Sequence, residues 1–147
     1  MYPIGHFSLG YIISKIVNVF TKEDINLTLV FIISVLPDID IMIPFVLHRG
    51  PTHSIIIASL FFIPFYIKYR RGLPYFSALL SHSLIGDFYT AYGCKLLWPL
   101  SNSYYKANIG YITYSMELPI EISLFIVMII HILYIQRKKI HDLLIIS

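Results

Sequence analysis

Apolar residues fill this chain in long runs, and the polar residues between them come in short breaks rather than in alternation. No period-two pattern is sustained, so the runs predict helices and an all-α fold. Five segments follow. The first covers residues 7–20. The second covers 25–36, with Asp24 as its expected N-cap, and meets Pro37. The third covers 53–69, with Thr52 as its expected cap. The fourth opens at Pro74 and runs to about residue 89, and the fifth covers 115–135. A full membrane span needs roughly 20 residues, which only the fifth reaches comfortably. The shorter segments therefore place the polar residues at their ends within the headgroup layer.

Composition turns this pattern into a membrane protein. Of 147 residues, 57% are hydrophobic and 13% charged, and mean hydropathy is +0.74. A soluble domain carries roughly 25% charged residues, and a chain this short still has a large surface to cover. Lipid is the solvent that suits that surface. The expectation is a single helical domain, residues 1–147, forming an integral bundle of four to five helices. A net charge of +3 is ordinary for a membrane protein with basic loops, and no basic run has the aromatic interleaving of a nucleic-acid site. Cys94 is the single cysteine, which excludes an internal disulfide and a thiolate zinc cage. The start of the chain lacks the charged region and cleavage site of a signal peptide, so His6 is expected to stay in the protein.

Charge also orients the bundle. An up-down path puts Lys15, Lys22, Lys68, Arg70, Arg71, Arg137, Lys138 and Lys139 toward one side, eight of the 11 basic residues. Arg49, Lys95 and Lys106 fall opposite. The positive-inside rule then predicts an N-terminus outside and a cytoplasmic C-terminus in a multi-pass cell-membrane protein. The Tyr-rich stretch 89–114, with Trp98, reads as an outer aromatic belt.

The same path gathers His6, Asp38, Asp40, His48, His53, His82, Asp87, Glu117 and Glu121 at the outer face. A charged residue deep in a bilayer costs roughly 2.5–3.5 kcal/mol on insertion scales, and crowded carboxylates repel. A divalent cation relieves both. His and Asp together suit zinc, with manganese or iron as alternatives. Each motif also has a plainer reading. Leu36-Pro37-Asp38-Ile39-Asp40 is otherwise a turn with a solvated acid pair. In His48-Arg49-Gly50-Pro51-Thr52-His53 a Gly-Pro turn can fold two imidazoles toward one centre, with Arg49 placed to grip a phosphate; otherwise these residues anchor the loop at the interface. His82 and Asp87, five apart, sit about 140° from each other on an ideal α-helix. Their convergence needs a bulge, which Gly86 can supply; otherwise His82 is a buried, hydrogen-bonded core residue. Glu117 and Glu121 share a face or simply complement a helix N-terminus. His131 and His141 read as structural or solvated, and Cys94 as a small packed residue.

The order Gly5-His6, LPDID at 36–40, HRGPTHS at 48–54 and SHSLIGDFYTAYGCKLLWP at 81–99 resembles the YdjM-like family of membrane-bound metal-dependent hydrolases. The resemblance covers residues 5 to 100. It implies a helical membrane domain with a metal centre. That family is in turn distantly similar to zinc-dependent phospholipase C and the single-strand-specific zinc nucleases, which cleave phosphoesters. By that likeness His6, Asp38, His53, His82 and Asp87 fill metal roles. Two departures stand out. The His82–Asp87 spacing is one residue longer than His-x-x-x-Asp, and Glu117-x-x-x-Glu121 is only a substitute for a late His-containing pair.

The expected function is hydrolysis of a phosphoester, in a membrane lipid or lipid-linked substrate, by a metal-activated water. Expected metal ligands are His6, Asp38, His48, His53, His82 and Asp87. Arg49 is the expected transition-state cation, and Asp40 or Glu117 the expected base. The rivals are a metal-binding or metal-transport membrane protein, and a structural membrane protein with a stabilising metal.

Overall fold

The computed structural model describes residues 1–108 and 113–146. Its elements are α1 (Pro3–Thr21), α2 (Leu27–Val35), a 3-10 turn (Leu36–Met42), a second 3-10 turn (Pro51–His53), α3 (Ile55–Tyr69), α4 (Leu73–Ser81), a π-helical turn (His82–Asp87) and α5 (Tyr114–Ile146). No strand occurs among the described residues; an isolated bridge joins Cys94 to Tyr105. Residues 109–112 of the Tyr-rich stretch lie outside the description.

Several helix ends differ from the sequence expectation, each for a local reason. Pro3 starts α1 four residues early, since a proline lacks only an N–H that the first turn leaves unused. Asn26, not Asp24, caps α2, accepting from the Leu29 amide at 3.2 Å. Ser54, not Thr52, caps α3, accepting from Ile56 and Ile57. The Thr52 hydroxyl has a different partner, Asp40. Helix α5 continues to Ile146.

α1 packs between α2, α4 and α5. Small residues allow the close approach: a Cβ on Gly10 would lie 2.0 Å from Ser34 Oγ and 3.4 Å from the Ala78 Cβ. Ser14 sits in the same seam and donates to the Gly10 or Pro74 carbonyl (2.7 and 2.9 Å). Such small-residue contacts are how helices pack where no water drives them together. Tyr11, Val30, Ala78 and Met128 form the buried apolar centre.

With 19 residues, α1 is about 28 Å long at 1.5 Å per residue, close to the roughly 30 Å hydrocarbon thickness. Ser115–Leu144 is the one described helix long and apolar enough to cross a membrane by itself. Helices α2, α3 and α4 are shorter, and their ends carry the polar turns.

Candidate metal centre

Pro37 has no N–H to return to the turn before it, so α2 gives way to a 3-10 turn. Three residues per turn put Asp38 and Asp40, two apart, on different faces. Asp38 points to the centre of the bundle end. Asp40 points to the loop 48–53 and accepts from His48 Nδ1 (2.8 Å), the Arg49 amide (3.1 Å) and the Thr52 hydroxyl (2.7 Å). At the end of α4 the backbone widens into a π-turn, with Phe88 N–H donating to the Ser83 carbonyl five residues back (3.1 Å). A five-residue repeat carries Asp87 round onto the face of His82, as their spacing required.

Six side chains converge. His6, Asp38, His82 and Asp87 form one group and Asp38, His48 and His53 a second, with the donor atoms of each group within 4.8 Å of one another. Asp38 is common to both. His53 Nε2 lies 3.1 Å from His82 Nε2, 3.0 Å from Asp87 Oδ2 and 3.5 Å from Asp38 Oδ1. His82 Nε2 lies 3.3 Å from Asp38 and 3.4 Å from Asp87. The His6 ring stacks on His82 with centroids 3.6 Å apart, and its Nε2 is 3.9 Å from both Asp38 and Asp87.

These residues fit a metal on three observations. First, the Nδ1 of three of the four imidazoles is held by protein. His82 Nδ1–H donates to the Ser34 carbonyl (2.7 Å), His48 Nδ1–H to Asp40, and His53 Nδ1 lies 3.0 Å from the Thr52 hydroxyl and 3.4 Å from Asp40. This leaves Nε2 of His53 and His82 in the cluster, the usual support of a metal-bound histidine, and fixes His48 at its more exposed edge. Second, nitrogens sharing one tetrahedral zinc at about 2.0–2.1 Å sit roughly 3.3 Å apart, near the 3.1 Å of His53 and His82. Third, both ring nitrogens of His6 are buried without a hydrogen bond, a costly state that a cation removes.

Electrostatics agree. Burial raises the proton affinity of Asp38, but the His53 and His82 imidazoles beside it win and hold the carboxyl well below the usual range. Burial lowers that of His53, and Asp38 and Asp87 overturn this and raise it. Negative charge is concentrated where the imidazoles meet. Cys94 is buried, directs its thiol at the Ser83 carbonyl (3.5 Å) and stands in neither ligand group among the described residues; burial, with Asp87 adding to it, pushes the thiol up to about 12.

Three of the expected catalytic residues stand elsewhere than the sequence suggested. Asp40 is 1% exposed and its oxygens already accept three hydrogen bonds; it orients His48 and the loop and is not placed as a base. Glu117 is in neither group among the described residues. Arg49, whose backbone adopts φ 61°, directs its guanidinium at Asp87 Oδ1 (3.1 Å) and the Thr90 hydroxyl (2.8 Å) rather than into open space. The sequence reading missed Ser34, Thr52 and Thr90 as partners. Thr52 carries a signal in the sequence, a hydroxyl beside His53, which fits a helix cap equally well. Glu121, fully buried, accepts from the Tyr2 amide (2.8 Å) and ties α5 to the start of α1. His131 is structural as expected, bonded through Nδ1 to the Tyr11 hydroxyl (2.9 Å).

The centre opens on one side. Asp38 and His48, 17% and 42% exposed at their side chains, line a cleft of about 570 Å³ with Tyr2, Phe31, Val35 and Met42. At the opposite end of the bundle Lys22, Arg70 and Arg71 surround a separate hollow with Glu23 and Asp24.

A family model described as YdjM inner membrane protein matches residues 1–145. No curated protein and no solved structure matches the chain. The likeness carried by the motifs of residues 5–100 thus extends through α5, and the chain belongs to the YdjM inner membrane protein family, as an all-helical membrane protein whose buried His/Asp group can hold a metal ion.

Proposed function

We propose that the protein is a metal-dependent hydrolase acting on a phosphoester at the membrane face. One observation carries this reading: the ligand set is braced from behind yet open in front, at Asp38 and His48. Structural zinc sites close their coordination shell, whereas catalytic sites keep a position free. A divalent cation, zinc by its His/Asp donors, supplies Lewis-acid activation of water and of the phosphoryl oxygen.

The chain's own groups do the rest. His6, Asp38, His53, His82 and Asp87 would hold the cation. His48, its Nδ1–H fixed on Asp40, presents Nε2 toward the cleft. Water adds to phosphorus as the ester P–O bond breaks; His48 Nε2 takes a proton from that water and returns it to the leaving oxygen. Arg49 is a positioning residue for Asp87, and its fork spans Asp87 and Thr90 in a way a lysine ammonium cannot copy.

The test joins elemental analysis of detergent-purified protein to a phosphoesterase screen with soluble and lipid substrates. Activity that vanishes on chelation and returns with zinc supports the reading; stoichiometric metal with no hydrolysis of any phosphoester rejects it. Arg49→Lys separates the roles of that residue. A positioning role predicts weaker metal binding together with lost turnover. Intact metal with lost turnover would instead make Arg49 a substrate clamp.

A further inference from the structure

The cleft in front of the metal centre has a chemistry of its own. Its polar side chains, Asp38 and His48, lie where it meets the ligand cluster. Away from that end its wall is apolar: Tyr2 and Pro3 at the start of α1, Phe31, Ile32 and Val35 along α2, and Met42. At about 570 Å³ it falls within the roughly 300–1,000 Å³ of small-molecule sites. Its other polar groups, those of Met1 and Tyr2, belong to the residues before α1, and along α2 a water-soluble phosphoester would find no polar partner. Beside the mouth, the segment before His48 exposes Met42 at 82%, Leu47 at 64% and Phe45 almost completely. Apolar side chains so exposed, in a family of membrane proteins, belong in the acyl boundary of the bilayer. The mouth is thus at the depth where lipid phosphates and the first methylenes lie. A second apolar cleft of about 370 Å³ lies behind α2, but its polar end is Thr52, whose hydroxyl is engaged by Asp40. The front cleft is the one that reaches the ligands.

We propose that the front cleft binds the hydrocarbon chain of an amphiphilic phosphoester, with its phosphate at the Asp38–His48 end and its chain laid along Phe31, Ile32 and Val35. This rests on the metal-centre reading, since the metal is what holds the phosphate at that end. The chain, and not the headgroup beyond the phosphate, then sets substrate choice, because α2 offers it contacts and the region past His48 is open.

The experiment reads occupancy without turnover. Zinc-loaded protein in lipid nanodiscs is irradiated with an alkyl phosphonate, whose C–P bond hydrolysis does not break, bearing a diazirine in its chain, and in parallel with the corresponding alkyl alcohol. Labelled residues are located by mass spectrometry. The alkyl phosphonate should label residues 31–42 only when zinc is present, and the alcohol should show no zinc dependence. Ile32→Trp, at a half-exposed cleft position, and Val35→Trp should each abolish the zinc-dependent label while metal content stays at the wild-type level. If either variant loses metal, the other decides. Label unchanged in a metal-replete Trp variant, or spread equally over α5, overturns the proposal. Zinc-dependent labelling in the cleft without any phosphoester hydrolysis upholds this inference and rejects the hydrolase. Hydrolysis of a soluble phosphodiester with no label in the cleft does the reverse.

Discussion

Replacing Gly86 by Ala adds one methyl group, and the structure predicts the opposite of its usual effect. In an ordinary helix Gly→Ala stabilises by roughly 0.5–1 kcal/mol, through backbone entropy. Gly86 has no positive φ to forbid alanine. A Cβ there, however, would lie 2.6 Å from His6 Cε1 and 2.7 Å from His6 Nδ1, about 0.8 Å inside the 3.4 Å at which ordinary contact begins. His6 has little room to retreat, because its ring also stacks on His82 at 3.6 Å. Overpacking of this kind costs about 1–3 kcal/mol, which exceeds the entropic gain. The ring must move, and metal sites tolerate only about 0.2 Å in ligand distance. Zinc affinity should therefore fall about 10–100-fold, or roughly 1.4–2.7 kcal/mol. Competition with a chelator of known affinity measures the first effect, and thermal unfolding of the metal-free protein in detergent the second. In a His6→Ala background the added methyl meets no ring, so the penalty in metal-free stability should disappear. A Gly86→Ala protein that binds zinc like wild type and melts at a higher temperature would refute the placement of His6.

Thr52→Val keeps the shape of the side chain and removes the hydroxyl that bridges Asp40 and His53; chelator competition should show zinc affinity lowered about tenfold or more, with the helical circular dichroism unchanged. His131→Phe removes the bond to Tyr11; unfolding in detergent should report a loss of about 0.6 kcal/mol, the average for such bonds inside membranes, and zinc content should not change. Reporters fused after Ile146 and within residues 102–108 should appear on opposite sides of the membrane, the first cytoplasmic; the same side for both would sink the proposed topology.

The cluster was legible because ionisable residues are rare in an apolar chain and these recur at alternate helix ends. Its internal division of labour was not. Asp38 and Asp40 are the same residue type two positions apart, and only the 3-10 turn sends one to the ligands and the other to the loop. Thr52 and Ser54 are both good caps; which one caps α3 is decided by Asp40, a partner 12 residues away. The five-residue step from His82 to Asp87 did state its own requirement, and the π-turn meets it. Glu117 and Glu121 share a face by spacing, but the glutamate that packs on α1 is the one facing Gly5, where a side chain would leave no room. Contacts between distant segments choose among residues that local pattern makes equivalent.

The layout of the whole bundle bears on the choice between chemistry and transport. A transporter binds its ion near the midplane and offers it ligands toward both faces. Here the ligands lie at one end, and next to them along α1 comes the buried apolar layer of Tyr11, Val30, Ala78 and Met128, flanked by Phe7, Ile12, Phe125 and Ile132. His131 lies beside this layer, but its Nδ1 is occupied by Tyr11, and neither ligand group among the described residues includes it. At the far end Lys22, Arg70 and Arg71 outnumber Glu23 and Asp24 around the hollow. A cation held by Asp38 and Asp87 would have to give up both carboxylates with no replacement in the apolar layer ahead of it, in a medium where an uncompensated charge costs several kcal/mol. The centre does open sideways, through Asp38 and His48, onto an apolar cleft. Under the proposed function, a bound ion would be the fixture and the molecule that reaches it from the membrane face the thing exchanged.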